Sequence, residues 1–310
     1  MTFSCRVPFP FAALVRRLEE WLGADPQSDA PLRRLLIPFS RSLQRNAASP
    51  EFWKYPRAVL AVDSERAPEP ALVARPLLKD RLFLAYQEKA GVLEVISYNE
   101  EAGRFEFQVV RNYRGGAAPQ LFYAQRALCT ACHQNAAPIF PRQLWDETNV
   151  NPRIALELHR QGRGFYDFPI EPGVDVALAF QAAADRANLL AVYQLLWRQG
   201  CGQIGSVRGR SCRATLATAV LQQGLTGGQR FDATTPAFRR RLAEPFTAAW
   251  HARWPQGLAI PDPDLPNRDP MAAPPRVLQQ VSIPRRLTSS DAELLADVVR
   301  RSAVPARLEP

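Results

Sequence analysis

Histidine and methionine are scarce in this chain. It has three His and two Met in 310 residues, and one Met is the first residue. Five Cys are too few for a disulfide-dense scaffold, and with so few His they leave no room for several zinc sites. Lysine is nearly absent: only Lys54, Lys79 and Lys89 occur, against 36 Arg. No apolar run reaches the ~18 residues of a membrane-spanning helix, so no transmembrane segment is expected. No Lys/Arg cluster interleaves with aromatics in the way that tracks a nucleic-acid strand, so nucleic acid is not an expected partner. No internal repeat is found.

What remains is an ordinary globular composition with unusual punctuation. Apolar residues make up 46% of the chain, enough for a sizeable core. The 28 Pro imply long irregular connections. The formal charge of +9 suits an acidic partner or an anionic membrane face, although dispersed, solvated arginines are the plainer reading. The length allows one large domain or two modest ones.

Most of the chemistry lies in one pentapeptide, Cys129-Thr130-Ala131-Cys132-His133. The spacing C-x-x-C-H is that of covalent haem attachment. Two thiols that add across the two vinyl groups of one porphyrin edge must stand about one helical turn apart. The imidazole directly after the second thiol can then ligate the iron. Two other uses of a CxxC stay open. One is half of a zinc site with His133 as third ligand, which needs a fourth donor from Cys5, Cys201, Cys212, His159 or His251. The other is a redox dithiol, which prefers a buried strand immediately before it; Phe122–Leu128 reads as either strand or helix.

The segment from Cys129 to about Phe140 resembles the c-type cytochromes, specifically the bacterial mono-haem CxxCH proteins. The resemblance implies one covalent haem c held by Cys129 and Cys132, with His133 as proximal iron ligand. It implies electron transfer with a redox protein partner and a periplasmic or otherwise exported location. It also implies that Pro138 or Pro141 accepts the imidazole N–H, and that Ile139, Phe140 and Trp145 pack on the haem; ordinary core packing explains these three equally well. For the distal ligand it points to Met271, a thioether between Pro270 and Pro274, with His159 as runner-up and His251 behind it. An open sixth site would instead favour a peroxide-reducing enzyme or a gas sensor. A non-enzymatic carrier is the preferred reading, and a zinc-stabilised binding protein is the third.

Two features bear on export. Residues 1–23 show no recognisable secretory signal: the short apolar run from Phe9 to Val15 lacks a basic flank before it and is followed by Arg16-Arg17. A late start, a trimmed form and a protein that is not exported are the readings left open. Cys201 and Cys212 enclose a polar, Gly-rich loop that can bring its ends together, so a disulfide is expected ahead of two thiols, and with it an oxidising compartment.

The expected fold is mainly α with a small antiparallel β-meander, a cytochrome c-like haem segment being embedded in a larger chain. Residues 1–116 would form an N-terminal region of helices plus the meander 81–111. Residues 117–310 would form a haem-binding helical region with a Pro-rich segment 255–284 and a C-terminal helix. Apolar spacing predicts helices over Phe11–Trp21, Leu32–Leu43, Asn151–Arg160, Val174–Gln199, Arg213–Gln223, Pro236–Trp250 and Ser290–Arg301. Leu82–Tyr86, Val92–Tyr98 and Arg104–Val110 alternate as strands, the last two joined by the turn Asn99–Gly103, while Ala58–Val62 is a short apolar run in a loop. Phe105, Phe107 and Val109 share one face of the last strand. That meander either packs on a helical layer or walls one edge of the haem.

Overall fold

The structure is a computed structural model. It describes residues 7–22, 32–39, 45–62, 80–99, 102–125, 129, 133, 147–203, 205–226, 235–236, 239–240, 244–253, 255, 259–260 and 285–286. Contacts divide the chain into two compact units. The first comprises Met1–Asn99, Phe105–Asn188 and Asp262–Ile283; the second comprises Glu100–Arg104, Leu189–Pro261 and Pro284–Pro310.

The first unit overturns the expectation of a mainly α chain. After helix α1 (Phe11–Leu22) come strands β1 (Leu32–Ile37), β2 (Arg57–Val62), β3 (Leu82–Gln87), β4 (Val92–Asn99), β5 (Arg104–Arg111) and β6 (Gln120–Tyr123). They form one six-stranded sheet in the order β1-β2-β3-β4-β5-β6. The three strands of the expected meander are its middle; two further strands precede them and one follows.

The missed strands have physical reasons. In β1 the residues Leu32, Leu35, Leu36 and Phe39 mimic a helical stripe, but both faces of the strand are buried, which removes the alternation. Pro38 also biases Ile37 away from helical backbone. The two arginines within the run are accommodated: Arg34 pairs with Glu19 of α1 and lies 5.8 Å from the Phe168 ring, and Arg33 is buried. In β2 the continuous run Ala58–Val62 is buried throughout, the pattern of an interior strand and not of a loop.

Each face of the sheet has its own cover. On one face Leu32, Leu36, Leu60, Leu84, Tyr86, Leu93 and Val110 meet the apolar stripe Phe11, Val15, Leu18 and Leu22 of α1, whose three-and-four spacing was legible. Helix α2 (Pro152–His159) adds Ile154 and Leu158 to the same cluster. It begins as its sequence demands, with the Asn151 side chain accepting from Arg153 N at 2.9 Å and Pro152 at the first turn. On the other face Phe83 meets Phe180 of α3 (Val174–Gln199), with ring centroids 6.4 Å apart. Ala177, Ala183, Ala184 and Ala187 are buried along α3; small side chains let a helix approach closely. Arg186 of the same helix grips Asp80 with two hydrogen bonds, 2.8 and 3.1 Å.

The outer edge of β1 is closed by one side chain. Leu36 donates its N–H to Asn149 Oδ1 at 2.8 Å, and Asn149 N donates back to the Leu36 carbonyl at 3.0 Å. Asn149 Nδ2 then donates to the carbonyls of Pro169 and Ile170, at 2.9 and 3.1 Å. Asn149 is buried, so the loop before α2 and the loop after it are both fastened to the sheet edge.

Beneath α1 lies an aromatic cluster. Tyr86 stands 5.3 Å from Tyr113 and 5.2 Å from Tyr166, edge to face. Tyr166 sits at φ +58° and Asp167 at φ +62°, in a tight reversal closed by Phe168 N donating to Phe165 O at 2.8 Å. The Tyr166 hydroxyl donates to Glu88 at 2.5 Å, and Arg163 bonds the same carboxylate at 2.9 Å. Burial pushes the Tyr86 phenol up to about 12, and burial likewise raises Tyr113 and Tyr166. Unfolding exposes these phenols and returns them to about 10. The unfolded chain therefore loses protons first as pH rises, and stability falls above pH ~10. The expected slope is about 1.4 kcal/mol per pH unit for each tyrosine still protonated in the fold. Denaturant unfolding at pH 8 to 11.5 measures it, and Tyr86→Phe should flatten the decline by one tyrosine's share.

The described residues of the second unit are mostly helical. Besides the rest of α3 it holds α4 (Val207–Leu225) and α5 (Glu244–Arg253). A two-residue pair, β7 (Ala259–Ile260) with β8 (Arg285–Arg286), completes it. Cys201 and Cys212 are joined in a disulfide with Cα atoms 5.6 Å apart. The loop is shorter than expected because α4 starts at Val207, capped by Ser206 Oγ accepting from Gly209 N at 3.0 Å. Gly209 is required there, since a Cβ would stand 2.3 Å from the Gln203 carbonyl. Closing a loop of this size stabilises by about 3 kcal/mol through restriction of the unfolded chain. Helix α5 also begins later than expected, at Glu244 with Pro245 in its first turn, so His251 lies within it. No helix among the described residues is long and apolar enough to cross a membrane.

Candidate functional site

The strand β6 ends at Tyr123, six positions before Cys129. It settles one ambiguity of the sequence: the Phe122–Leu128 run begins as strand. Its four residues pair with β5 in the register Gln108↔Tyr123, Val109↔Phe122, Val110↔Leu121 and Arg111↔Gln120. Ala124 N extends the ladder to the Phe107 carbonyl at 2.8 Å.

Cys129 and His133 are joined by a backbone hydrogen bond, His133 N donating to Cys129 O at 2.8 Å. A bond from residue i to i−4 closes one α-helical turn. The first residue of the motif and its histidine are therefore held one turn apart. Both residues are half-buried. The His133 ring packs against Phe107 of β5, with centroids 5.0 Å apart at 51°. Phe107 is itself buried, so the imidazole rests on a rigid strand in the sheet and not on a loop. Alternation along β5 had already put Phe105, Phe107 and Val109 on one face. The structure adds that this face meets the His133 ring, while the strands of the meander pack on helices, as the first of the two readings had it.

His159 is placed elsewhere. It ends α2, whose buried residues Ile154 and Leu158 join the core on the opposite face of the sheet from Phe107. Its ring is 52% exposed, with Nε2 3.4 Å from Glu171. The sheet stands between it and His133, so the structure does not bring the two imidazoles together. The 26-residue separation that recommended it ignored β-sheet topology. His251 is exposed on α5, in the second unit. Cys132, Met271, Pro138, Pro141, Ile139, Phe140 and Trp145 lie outside the described residues, as does the expected Ser290–Arg301 helix.

The fourth donor that zinc would need is harder to supply than the sequence alone implied. Cys201 and Cys212 are consumed in their disulfide, and His159 is across the sheet. Among the described residues no group of three or more His, Cys, Asp or Glu side chains converges.

Two neighbours of the site were not singled out from the sequence. Phe122, opposite Val109, shares the face of Phe107, and the Arg111 guanidinium lies 5.6 Å from the Phe122 ring. The signal was available: Gly115-Gly116 and Pro119 after a clear strand, followed by Leu-Phe-Tyr, read as a hairpin return. No protein-family model, curated protein or solved structure matches the chain.

Proposed function

We propose that the chain is a mono-haem c-type protein that transfers single electrons outside the cytoplasm. The supporting observation is the helical turn that joins Cys129 to His133, set against the sheet by Phe107. When bound, such a group supplies one-electron exchange at iron. The chain's own residues do the rest. Cys129 and Cys132 would anchor the porphyrin by thioethers. His133 would offer its imidazole to the iron, and Phe107, packed against that ring, fixes its orientation and excludes water from one side of it. Half-burial of the site favours a fixed environment for the metal while leaving an edge for electron exchange.

The Cys201–Cys212 disulfide supports an oxidising compartment, where covalent attachment also takes place in bacteria. The partner is a second redox protein; a surplus of nine positive charges suits an acidic one. Met271 remains the proposed distal ligand.

The test is the behaviour of the visible spectrum of the haem-loaded protein. Reversible reduction and reoxidation by a one-electron mediator, with slow CO binding to the reduced form, is the expected result. CO binding that is fast and displaces no native ligand would favour the open-site enzyme or sensor. Purified protein with zinc and no visible absorption would favour the zinc reading.

A further inference from the structure

The sheet face that carries His133 does not stop at Phe107. Along β5, Val109 and Arg111 follow at two-residue steps on the same face, and the register puts Phe122 of β6 directly across from Val109. At about 3.3 Å per residue, Phe107 and Arg111 are roughly 13 Å apart along the strand. Burial falls along this line: Phe107 is 6% exposed, Val109 is half-buried, Phe122 is 46% exposed and Arg111 is exposed. A large aromatic so open beside a buried one marks a surface with something still to cover it. The Arg111 guanidinium is stacked 5.6 Å from the Phe122 ring, and no carboxylate among the described residues pairs with it. An apolar strip that ends in an unneutralised, oriented arginine fits a flat apolar ligand with an acidic end.

We propose that this strip is the seat of the haem, with Phe122 covering the macrocycle edge beyond Phe107 and Arg111 binding a propionate. The inference rests on the haem reading above. The tether supports this occupant over any free ligand: only five residues separate Tyr123 of β6 from Cys129, and His133 already touches the inner end of the strip. Arginine is the fitting residue, because its planar fork takes a carboxylate in two parallel hydrogen bonds. A cation there also disfavours the more positively charged oxidised iron, so it raises the potential.

The experiment compares full-length, haem-loaded protein with Arg111→Gln, Arg111→Lys, Phe122→Ser and Tyr123→Ser. All three positions are at the surface of the sheet edge, and Tyr123 faces the opposite side from Phe122. The midpoint potential and the visible spectrum are read for each. Arg111→Gln is expected to shift the reduction equilibrium toward the oxidised form by about tenfold, or ~59 mV for one electron. Arg111→Lys should restore most of that shift. Phe122→Ser should lower the potential in the same direction and shift the haem absorption as water reaches the edge, while Tyr123→Ser leaves both unchanged. Haem-carrying Arg111→Gln and Phe122→Ser proteins with unaltered potential and spectrum would overturn the seat alone. A wild-type chain that carries no haem would overturn both the seat and the reading beneath it.

Discussion

Replacing both Cys129 and Cys132 with serine is expected to abolish covalent haem altogether, from one group per chain to none, when the protein is produced with a haem-maturation system. The haem stain of the denatured chain reads this directly. The single variants Cys129→Ser and Cys132→Ser should each keep one thioether, with a visible spectrum shifted by the vinyl group that stays unreacted. His133→Ala should keep both thioethers and lose the axial imidazole, and added imidazole should then restore the parent spectrum. The three residues are thereby separated by role, anchor against ligand. None of the changes should unfold the chain. The six-stranded sheet and its two covers supply the core, and the site is half-buried at its edge. Circular dichroism of the double variant should match the parent. A double variant that still binds haem covalently would place the attachment elsewhere.

The second large effect concerns stability. Asn149→Leu keeps the volume roughly constant but removes one acceptor and two donor hydrogens from a buried position. The buried Leu36 N–H loses its acceptor, and the part-buried bonds to the Pro169 and Ile170 carbonyls are lost with it. A buried polar group left unsatisfied costs about 1–3 kcal/mol, so the expected loss is about 3 kcal/mol or more, a large fraction of a domain's total. Asn149→Asp should also destabilise, because it keeps the acceptor but sets a carboxylate against two carbonyl oxygens. Urea unfolding measures both, and a change below about 0.5 kcal/mol for the leucine variant would deny Asn149 its role as the edge closure.

Why the sequence disclosed some of this and concealed the rest follows from a few residues. The helix over Val174–Gln199 was legible to the residue, because its apolar positions run long and Gly200 stops it. The start of α2 was equally plain from Asn151-Pro152, where cap and backbone preference agree. Strands β3 to β5 were legible from alternation and from the turn ending at Gly103, which takes φ +57°. Strands β1 and β2 were not, because a strand buried on both faces loses its alternation. Arg33 and Arg34 disguised β1 further, since nothing local reveals that Glu19 waits on a helix fifteen residues before Arg34. Asn149 was invisible for the same reason: its partners lie 113 and about 20 residues away.

The site divides along the same line. Local spacing carried Cys129 and His133, and the structure gives that spacing its helical turn. Tertiary topology decided the rest. His159 looked near in sequence and lies across the sheet, while Phe107, 26 positions before His133, forms its floor. Phe122 and Arg111 needed the β5–β6 register before they joined the picture. The fold class failed for one reason common to these points: β-sheet pairing is non-local, and a local reading favours helices.

The most direct test of the central claim is the intact mass of the denatured chain after production with a haem-maturation system. The account predicts a mass greater than the polypeptide by one haem, with the added mass and the visible absorption both on the peptide that spans Cys129 to His133. A chain with the mass of the bare polypeptide and no absorption on that peptide would contradict it.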